Sequence, residues 1–388
     1  MKPLVTGQFN DSIPPILDGV VNVALNYAYW LNRKYGTGYV VGPRVPGQDE
    51  TNDFHVLRYA SLPIPGMQPY RIGLPGMDPL FSKAVRDIDF DLVHAHCPFV
   101  SGRLALEIAQ KQDIPIITTF HSKYREDFRK VISSDFILDS VMKNILEFLE
   151  TVDYVWVPNR STGETLREYG YRGDLEVFEN GTDMIAPTDE QYAEYRRLGL
   201  EKADLGEDDF VFLFVGQHRW VKNIRLILDG LRALHQQGRE YRMLFVGEGS
   251  DIKEIVRTAK QYGVKDRVTF MGVISNREEL KKIYAAASLF LFPSTYDNAP
   301  LVLREAAAFG VPAVLVRGST AAENVTDGEN GFTCENDVED FAATIAKVMD
   351  DEPARRRAGE GARQTIYRSW ESIVDEVYSR YTEIVASR

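Results

Sequence analysis

Pro293-Ser294-Thr295-Tyr296-Asp297-Asn298-Ala299-Pro300-Leu301-Val302-Leu303-Arg304-Glu305-Ala306-Ala307-Ala308-Phe309-Gly310-Val311-Pro312 closes an apolar strand, turns, and opens a helix. Asp297 falls in the turn, and Glu305 follows eight residues later inside the helix. Carboxylates held at such a turn accept hydrogen bonds from sugar hydroxyls, and the helix N-terminus beside them favours a phosphate. The pairing suits a nucleotide sugar. Pro300 fits the first turn of a helix at the loss of one N–H, which leaves the amides of Leu301 and Val302 for a phosphate or sugar oxygen. Ala306 to Ala308 read as close helix packing, and Gly310 as the residue that ends the helix.

The same strand-then-helix alternation extends outward along the chain. Asp91 to His96, Ile114 to His121 and Tyr154 to Pro158 form one series of short apolar strands. Phe210 to Gly216, Arg242 to Gly247, Val268 to Gly272 and Leu289 to Phe292 form a second, with helical stretches such as Ile224 to His235 and Glu278 to Ala287 between them. Continuous apolar strands separated by helices predict parallel sheets covered on both faces. Two series predict an α/β chain of two doubly wound, Rossmann-like domains. Strand character disappears between Thr188 and Asp209, where charge is high. The domains are therefore expected at 1–190, completed by an amphipathic C-terminal helix over 366–388, and at 191–365. Ligands of open parallel sheets bind beyond the carboxyl ends of the strands, so two facing domains place a site in the cleft between them.

With 388 residues the chain is long enough for two cores, and its 44% hydrophobic and 26% charged content is ordinary for a soluble globular protein. A net charge of −12 argues against nucleic acid as a partner. Cys97 and Cys334 are too far apart in sequence to suggest a disulfide framework, which makes a reducing cytoplasm the expected location. Met1 to Gly7 lacks the apolar core of a signal peptide, and no apolar run reaches about 18 residues. Membrane contact is expected to be peripheral, at the inner face of the plasma membrane. Lys123 to Thr151 mixes Lys123, Arg125, Arg129 and Lys130 with Phe136, Ile137, Val141, Ile145, Leu146, Phe148 and Leu149. Such a segment suits docking on lipid, but its interspersed acids favour a helical pair packed on the N-terminal domain.

Other motifs cluster at strand ends. Gly216-Gln217-His218-Arg219-Trp220-Val221-Lys222-Asn223 follows the first strand of the second series and carries two cations, Arg219 and Lys222. Pro14-Pro15-Ile16-Leu17-Asp18-Gly19-Val20 reads as a loop in which Asp18 is suited to N-cap a following helix. His94-Ala95-His96 alternates along a strand, so both rings face one side, yet no third ligand completes a metal site. Asp87-Ile88-Asp89 reads as a solvated turn, and Gly247-Glu248-Gly249 lacks the last glycine of a dinucleotide fingerprint.

Taken in order, these motifs resemble the family 4 retaining glycosyltransferases of the GT-B superfamily, the glycosyl transferases group 1, over nearly the whole length. The family's signature is two acidic residues separated by seven, here Asp297 and Glu305. The resemblance implies that Glu305 binds the ribose hydroxyls and that Asp297, where a glutamate is usual, contacts the transferred sugar. Lys222 matches the lysine that grips the diphosphate; Gln217 stands where the family has arginine, and Arg219 is expected to take over that charge. Gly272, Val273, Leu301 and Val302 are implied on the donor side. Asp18, Gly19 and His96 are implied on the acceptor side, with His121 approaching the sugar and His94 packed in the core. The catalytic set is thus expected to be His121, Asp297 and Lys222, with no metal and no cofactor beyond the nucleotide sugar. Resemblance to bacterial glycolipid-forming members points to a UDP-sugar, UDP-glucose first, with GDP-mannose the rival. Diacylglycerol, a lipid-linked saccharide and a soluble glycan all remain open as acceptor. A sugar-nucleotide epimerase and a non-catalytic nucleotide-sugar sensor are the alternatives of another class; the sensor is prompted by the departures at Gln217, Asp297, Pro300 and Asp18.

Overall fold

The computed structural model describes residues 3–16, 18–46, 54–64 and 70–388; Leu17, in the loop singled out above, lies outside them. The chain divides into two compact units, Met1–Asn180 with Trp370–Arg388, and Gly181–Ser369. The boundaries therefore stand at 180 and 370, where the sequence places them at 190 and 366.

Unit 1 is built on strands β1 (Val5–Phe9), β2 (Thr37–Pro43) and β3 (His55–Tyr59), a small antiparallel pair β4 (Ser61–Pro63) and β5 (Arg71–Gly73), and then β6 (Leu92–Ala95), β7 (Ile116–Thr119), β8 (Tyr154–Val157) and β9 (Glu176–Val177). The main sheet runs β3-β2-β1-β6-β7-β8-β9 with every pairing parallel. Strands β6 and β7 are buried at every residue, as expected where helices cover both faces of a parallel sheet. The C-terminal helix Trp370–Ala386 belongs to this unit and lies against the helix Gly19–Lys34. The Tyr27 and Trp370 rings meet edge to face at 6.0 Å, Tyr35 stacks on Tyr378 at 4.1 Å, and Lys34 pairs with Asp375 at 2.5 Å.

Lys123 to Thr151 forms the expected helical pair, Tyr124–Arg129 and Asp135–Thr151. Leu138, Met142, Ile145, Phe148 and Leu149 point into the core, while Phe136 and Ile137 remain on the outside, 84% and 53% exposed. Its cations are largely neutralised locally: Arg125 pairs with Asp139 at 2.8 Å, Lys130 with Asp127 at 3.0 Å, and Arg129 with Asp135. Among the described residues no helix is long and apolar enough to cross a membrane.

Unit 2 carries β10 (Val211–Val215), β11 (Arg242–Val246), β12 (Val268–Phe270), β13 (Leu289–Leu291), β14 (Ala313–Val316) and β15 (Phe332–Cys334), ordered β12-β11-β10-β13-β14-β15 and parallel throughout. The helix Asp189–Lys202, from the charged stretch read as a break, packs on the helix Arg277–Ala286. Gly199 makes this approach close enough that a Cβ there would lie 2.0 Å from the Lys282 carbonyl oxygen. At the other boundary, the backbone N–H of Thr182 donates to the Arg368 carbonyl at 2.8 Å and Arg304 donates to the Ile366 carbonyl at 2.8 Å. Those bonds hold residues 181–190 and 366–369 to unit 2.

Candidate active site

The carboxyl ends of the unit 2 strands all lie at one edge of the sheet, so the turns that follow them are neighbours. Gly216 after β10 and Gly247 after β11 sit at φ +156° and +125°, and a Cβ on Gly247 would come within 2.1 Å of the Gly216 carbonyl oxygen. Gly272, φ +69°, accepts from the Gly247 N–H at 2.8 Å, and Val273 beside it is exposed. Glycine is required at 247 because no side chain fits between these turns.

On this floor the Gly216–Asn223 turn and the Pro293–Pro300 turn are tied together. Asn223, in the left-handed region at φ +58°, donates through Nδ2 to the Pro293 carbonyl at 3.1 Å. That places Lys222 against Asp297: the Lys222 ammonium pairs with Asp297 Oδ1 and lies 5.3 Å from the centre of the Tyr296 ring. Asp297 Oδ2 is buried and has no hydrogen-bond partner among the described residues. Arg219 is on the same turn, close enough that its charge helps hold the Asp251 carboxyl below the usual range, after the hydrogen bonds from the Trp220 N–H and Ser250.

The helix Leu301–Ala308 begins with Pro300 as its N-cap, in extended conformation and without a side-chain cap. The amides of Leu301 and Val302 stand in its first turn, where a helix supplies no acceptor of its own. Glu305 is one turn further on and 6% exposed. One of its oxygens accepts from Arg277 at 2.7 Å and the other from the Tyr284 hydroxyl at 2.6 Å. Arg277 in turn forks onto both oxygens of Asp183, at 2.8 and 2.5 Å, and Tyr284 stacks on Phe309 at 5.9 Å. Glu305 is thus a braced carboxylate, and its two oxygens retain lone pairs for further donors.

Unit 1 gathers the histidines. His94, in β6, and His96, just past its end, have their rings stacked at 4.4 Å, on one side as the alternation predicts. His94 is bonded to Tyr381 at 2.6 Å and to Thr119 at 2.7 Å, a core role. His96 Nε2 is 3.0 Å from Gln8 Oε1, and its Nδ1 is 3.2 Å from His121 Nε2. A carbonyl oxygen only accepts, so His96 carries its proton on Nε2 and takes a hydrogen bond at Nδ1 from His121. Burial holds His121 down at about 3 and lowers His94 and His96 well below the ordinary imidazole value. All three are neutral at pH 7, so His121 offers hydrogen bonding and shape rather than positive charge. Asp18 caps the helix Gly19–Lys34 by accepting from the Val21 N–H at 2.9 Å, and a Cβ on Gly19 would meet nothing within 4 Å. Among the described residues no group of three or more His, Cys, Asp or Glu could hold a metal ion.

Several neighbours escaped the sequence reading. Arg277, Asp183 and Tyr284 brace Glu305 from positions that no local motif marks. Asp11, after β1, accepts from the Ser101 N–H at 2.9 Å, and burial raises its carboxyl to about 6. His218 is fully buried among Phe214, Phe245 and Phe270, neither ring nitrogen has a hydrogen-bond partner among the described residues, and burial lowers it to about 4.

Two family models match this chain: Glycosyl transferases group 1 over residues 199–365, and Glycosyltransferase Family 4 over residues 17–185. The chain belongs to the family 4 glycosyltransferases of the GT-B superfamily. This family 4 enzyme is 23% identical over 325 residues to the alpha-monoglucosyldiacylglycerol synthase of Streptococcus pneumoniae, covering 82% of this chain and 72% of the relative. It is 23% identical over 400 residues to the GDP-mannose-dependent alpha-mannosyltransferase of Corynebacterium glutamicum, covering 100% of this chain and 90% of the relative. Among solved structures, sucrose-phosphate synthase from Thermosynechococcus elongatus superposes with a TM-score of 0.80 at 19% identity, covering 99% of this chain and 100% of the other. Anabaena HepE in complex with UDP and glucose superposes at 0.74 and 17% identity, covering 98% and 99%. These likenesses establish the GT-B fold with its two Rossmann-like units.

Proposed function

We propose that this glycosyltransferase moves a hexose from a UDP-sugar, UDP-glucose first, to the hydroxyl of a membrane lipid such as diacylglycerol, with retention of anomeric configuration and without a metal. The observation that carries this reading is the Lys222–Asp297 pair, in which one carboxylate oxygen is buried without a partner beside an ammonium. A buried acceptor with no donor is costly until a ligand supplies one, and a sugar hydroxyl is such a donor. Lys222, with Arg219 on the same turn, offsets the charge of the departing diphosphate, and the first-turn amides of Leu301 and Val302 add N–H donors. Glu305 takes the ribose hydroxyls, held in place by Arg277 and Tyr284.

In the proposed reaction the bond from the anomeric carbon to the diphosphate oxygen breaks, and the acceptor oxygen bonds to the same face. The acceptor's proton passes to the departing phosphate oxygen, so no protein nucleophile is needed. His121, neutral at pH 7, positions the sugar by hydrogen bonding, and Asp18, Gly19 and His96 belong to the acceptor side. A lipid acceptor is supported by the diacylglycerol-glucosylating relatives and by the outward-facing Phe136 and Ile137. A panel of UDP- and GDP-sugars, assayed for nucleoside diphosphate release with and without a membrane lipid extract, tests the proposal. Extract-dependent UDP release from UDP-glucose is expected. Release without any acceptor, or from no donor, counts against it. GDP-mannose is the second donor to test, because the mannosyltransferase relative aligns along the entire chain.

The brace on Glu305 makes a separate prediction. Arg277→Gln removes the charge that orients the ribose-binding carboxylate and is expected to raise the donor KM about tenfold with a much smaller change in kcat. Steady-state kinetics against donor concentration checks this split; an unchanged KM removes Arg277 from the donor site.

A further inference from the structure

Unit 2 has a polar cavity at the opposite end of its sheet from Lys222 and Asp297. Ser288 and Pro312, the residues that precede β13 and β14, line it, and its volume is about 610 Å³. That is an ordinary size for a small-molecule site. Arg196, Arg355, Arg356 and Arg363 reach its wall from two helices, Asp189–Lys202 and Glu352–Thr365.

Three of these guanidinium groups are anchored without being neutralised. Arg196 donates to the Ala285, Ala286 and Glu207 carbonyls at 3.4, 3.0 and 3.4 Å, Arg355 donates to the Val348 carbonyl at 3.1 Å and lies 4.8 Å over the Phe210 ring, and Arg363 donates to the Pro187 carbonyl at 2.7 Å. None of the three forms an ion pair with a carboxylate among the described residues, and each is half-buried. A carbonyl fixes the direction of a guanidinium but leaves its full charge, and each fork of five N–H donors keeps some beyond those these bonds use. Arg356, by contrast, is exposed and already paired with Glu352 at 2.7 Å. Asp189, Glu352 and Glu360 also line the cavity and are exposed; Glu352 lies near enough to Arg355 to favour its charge, and Glu360 accepts from Gln364 at 2.7 Å.

Three anchored guanidinium groups around one cavity, none in an ion pair among the described residues, fit an oxyanion with several acceptor oxygens. We infer that this cavity binds a phosphate-bearing small molecule through Arg196, Arg355 and Arg363. The site is separate from the diphosphate-gripping turn, so it takes a ligand other than the sugar donor. Guanidinium–phosphate pairs are bidentate and charge-assisted, which is the chemistry that three carbonyl-anchored arginines supply.

Pyrophosphate is the probe, and the Lys222→Ala protein is the host, because it lacks the cation proposed to hold the donor's diphosphate. Titration calorimetry is expected to show one saturable pyrophosphate per chain. Arg355→Gln with Arg363→Gln in that host should weaken binding by about ten- to a hundredfold, while the corresponding lysine pair retains a measurable part of it. On the unmutated chain, pyrophosphate should protect Arg355 and Arg363 from phenylglyoxal, as mapped by mass spectrometry, which needs no variant to fold. Absence of saturable binding in folded Lys222→Ala protein, equal binding by the glutamine pair, or no protection overturns the site. None of these outcomes depends on whether the chain uses UDP-glucose.

Discussion

Lys222→Ala and Asp297→Ala are each expected to lower the rate of sugar transfer by about 10²–10³-fold in protein that stays folded. The expectation rests on where charge develops. As the glycosidic bond breaks, negative charge builds on the diphosphate, and Lys222, on the Gly216–Asn223 turn, is the cation proposed to meet it. Its ammonium is held in place by Asp297 and sits over the Tyr296 ring, so it is oriented before substrate arrives. Asp297 contributes twice. One oxygen orients Lys222, and the other is the buried, unpartnered acceptor assigned to the sugar. The two effects should be strongly non-additive, because each residue acts partly through the other. A double variant no slower than the worse single is therefore expected. Near-wild-type transfer by either single variant would remove the pair from the mechanism.

Unit 1 is expected to lose stability steeply as pH falls from 7 to 5. His94, His96 and His121 are held neutral by burial, far below the ordinary value of 6.5 that applies once the chain unfolds. Below pH 6.5 the unfolded state therefore binds three protons that the folded state refuses, and their stabilisation is lost as pH falls. Asp11 works the other way. Its folded value, raised by burial to about 6, lets the folded state take up a proton before the unfolded state does at 3.8. Three imidazoles against one carboxyl leave a net of two protons near pH 5. At about 1.4 kcal/mol per proton per pH unit, stability should fall by about 2.7 kcal/mol per unit there. Urea unfolding followed by tryptophan fluorescence suits this measurement, since Trp30, Trp156 and Trp370 lie in unit 1 and only Trp220 in unit 2. A midpoint unchanged between pH 7 and pH 5 would mean that these imidazoles are not buried in neutral form.

Much of the fold was legible because parallel strands buried on both faces must be apolar without alternation. Phe210 to Gly216 and Leu289 to Phe292 read that way, and they form the centre of the second sheet. The Asp297…Glu305 spacing was legible for a related reason: a turn and a helix fix how far apart the two carboxylates sit. The unit boundary was not. Residues 181–190 carry no strand or helix pattern, and only packing reveals that Met184, fully buried, belongs to the second core. The brace on Glu305 was equally hidden, because Asp183, Arg277 and Tyr284 reach it across the fold rather than along a motif. His218 shows the limit most sharply. Its sequence neighbours, Gln217 and Arg219, are polar and give no sign of burial, yet its ring is buried among three phenylalanines.

The anomeric configuration of the product tests the account most directly. With UDP-glucose and a diacylglycerol-containing lipid extract, proton NMR of the purified glycolipid should show an α-linked glucosyl residue, with UDP released in equal amount. A β-linked product, or UDP release that does not depend on the lipid, would contradict retaining transfer to a lipid hydroxyl at the Lys222–Asp297–Glu305 site.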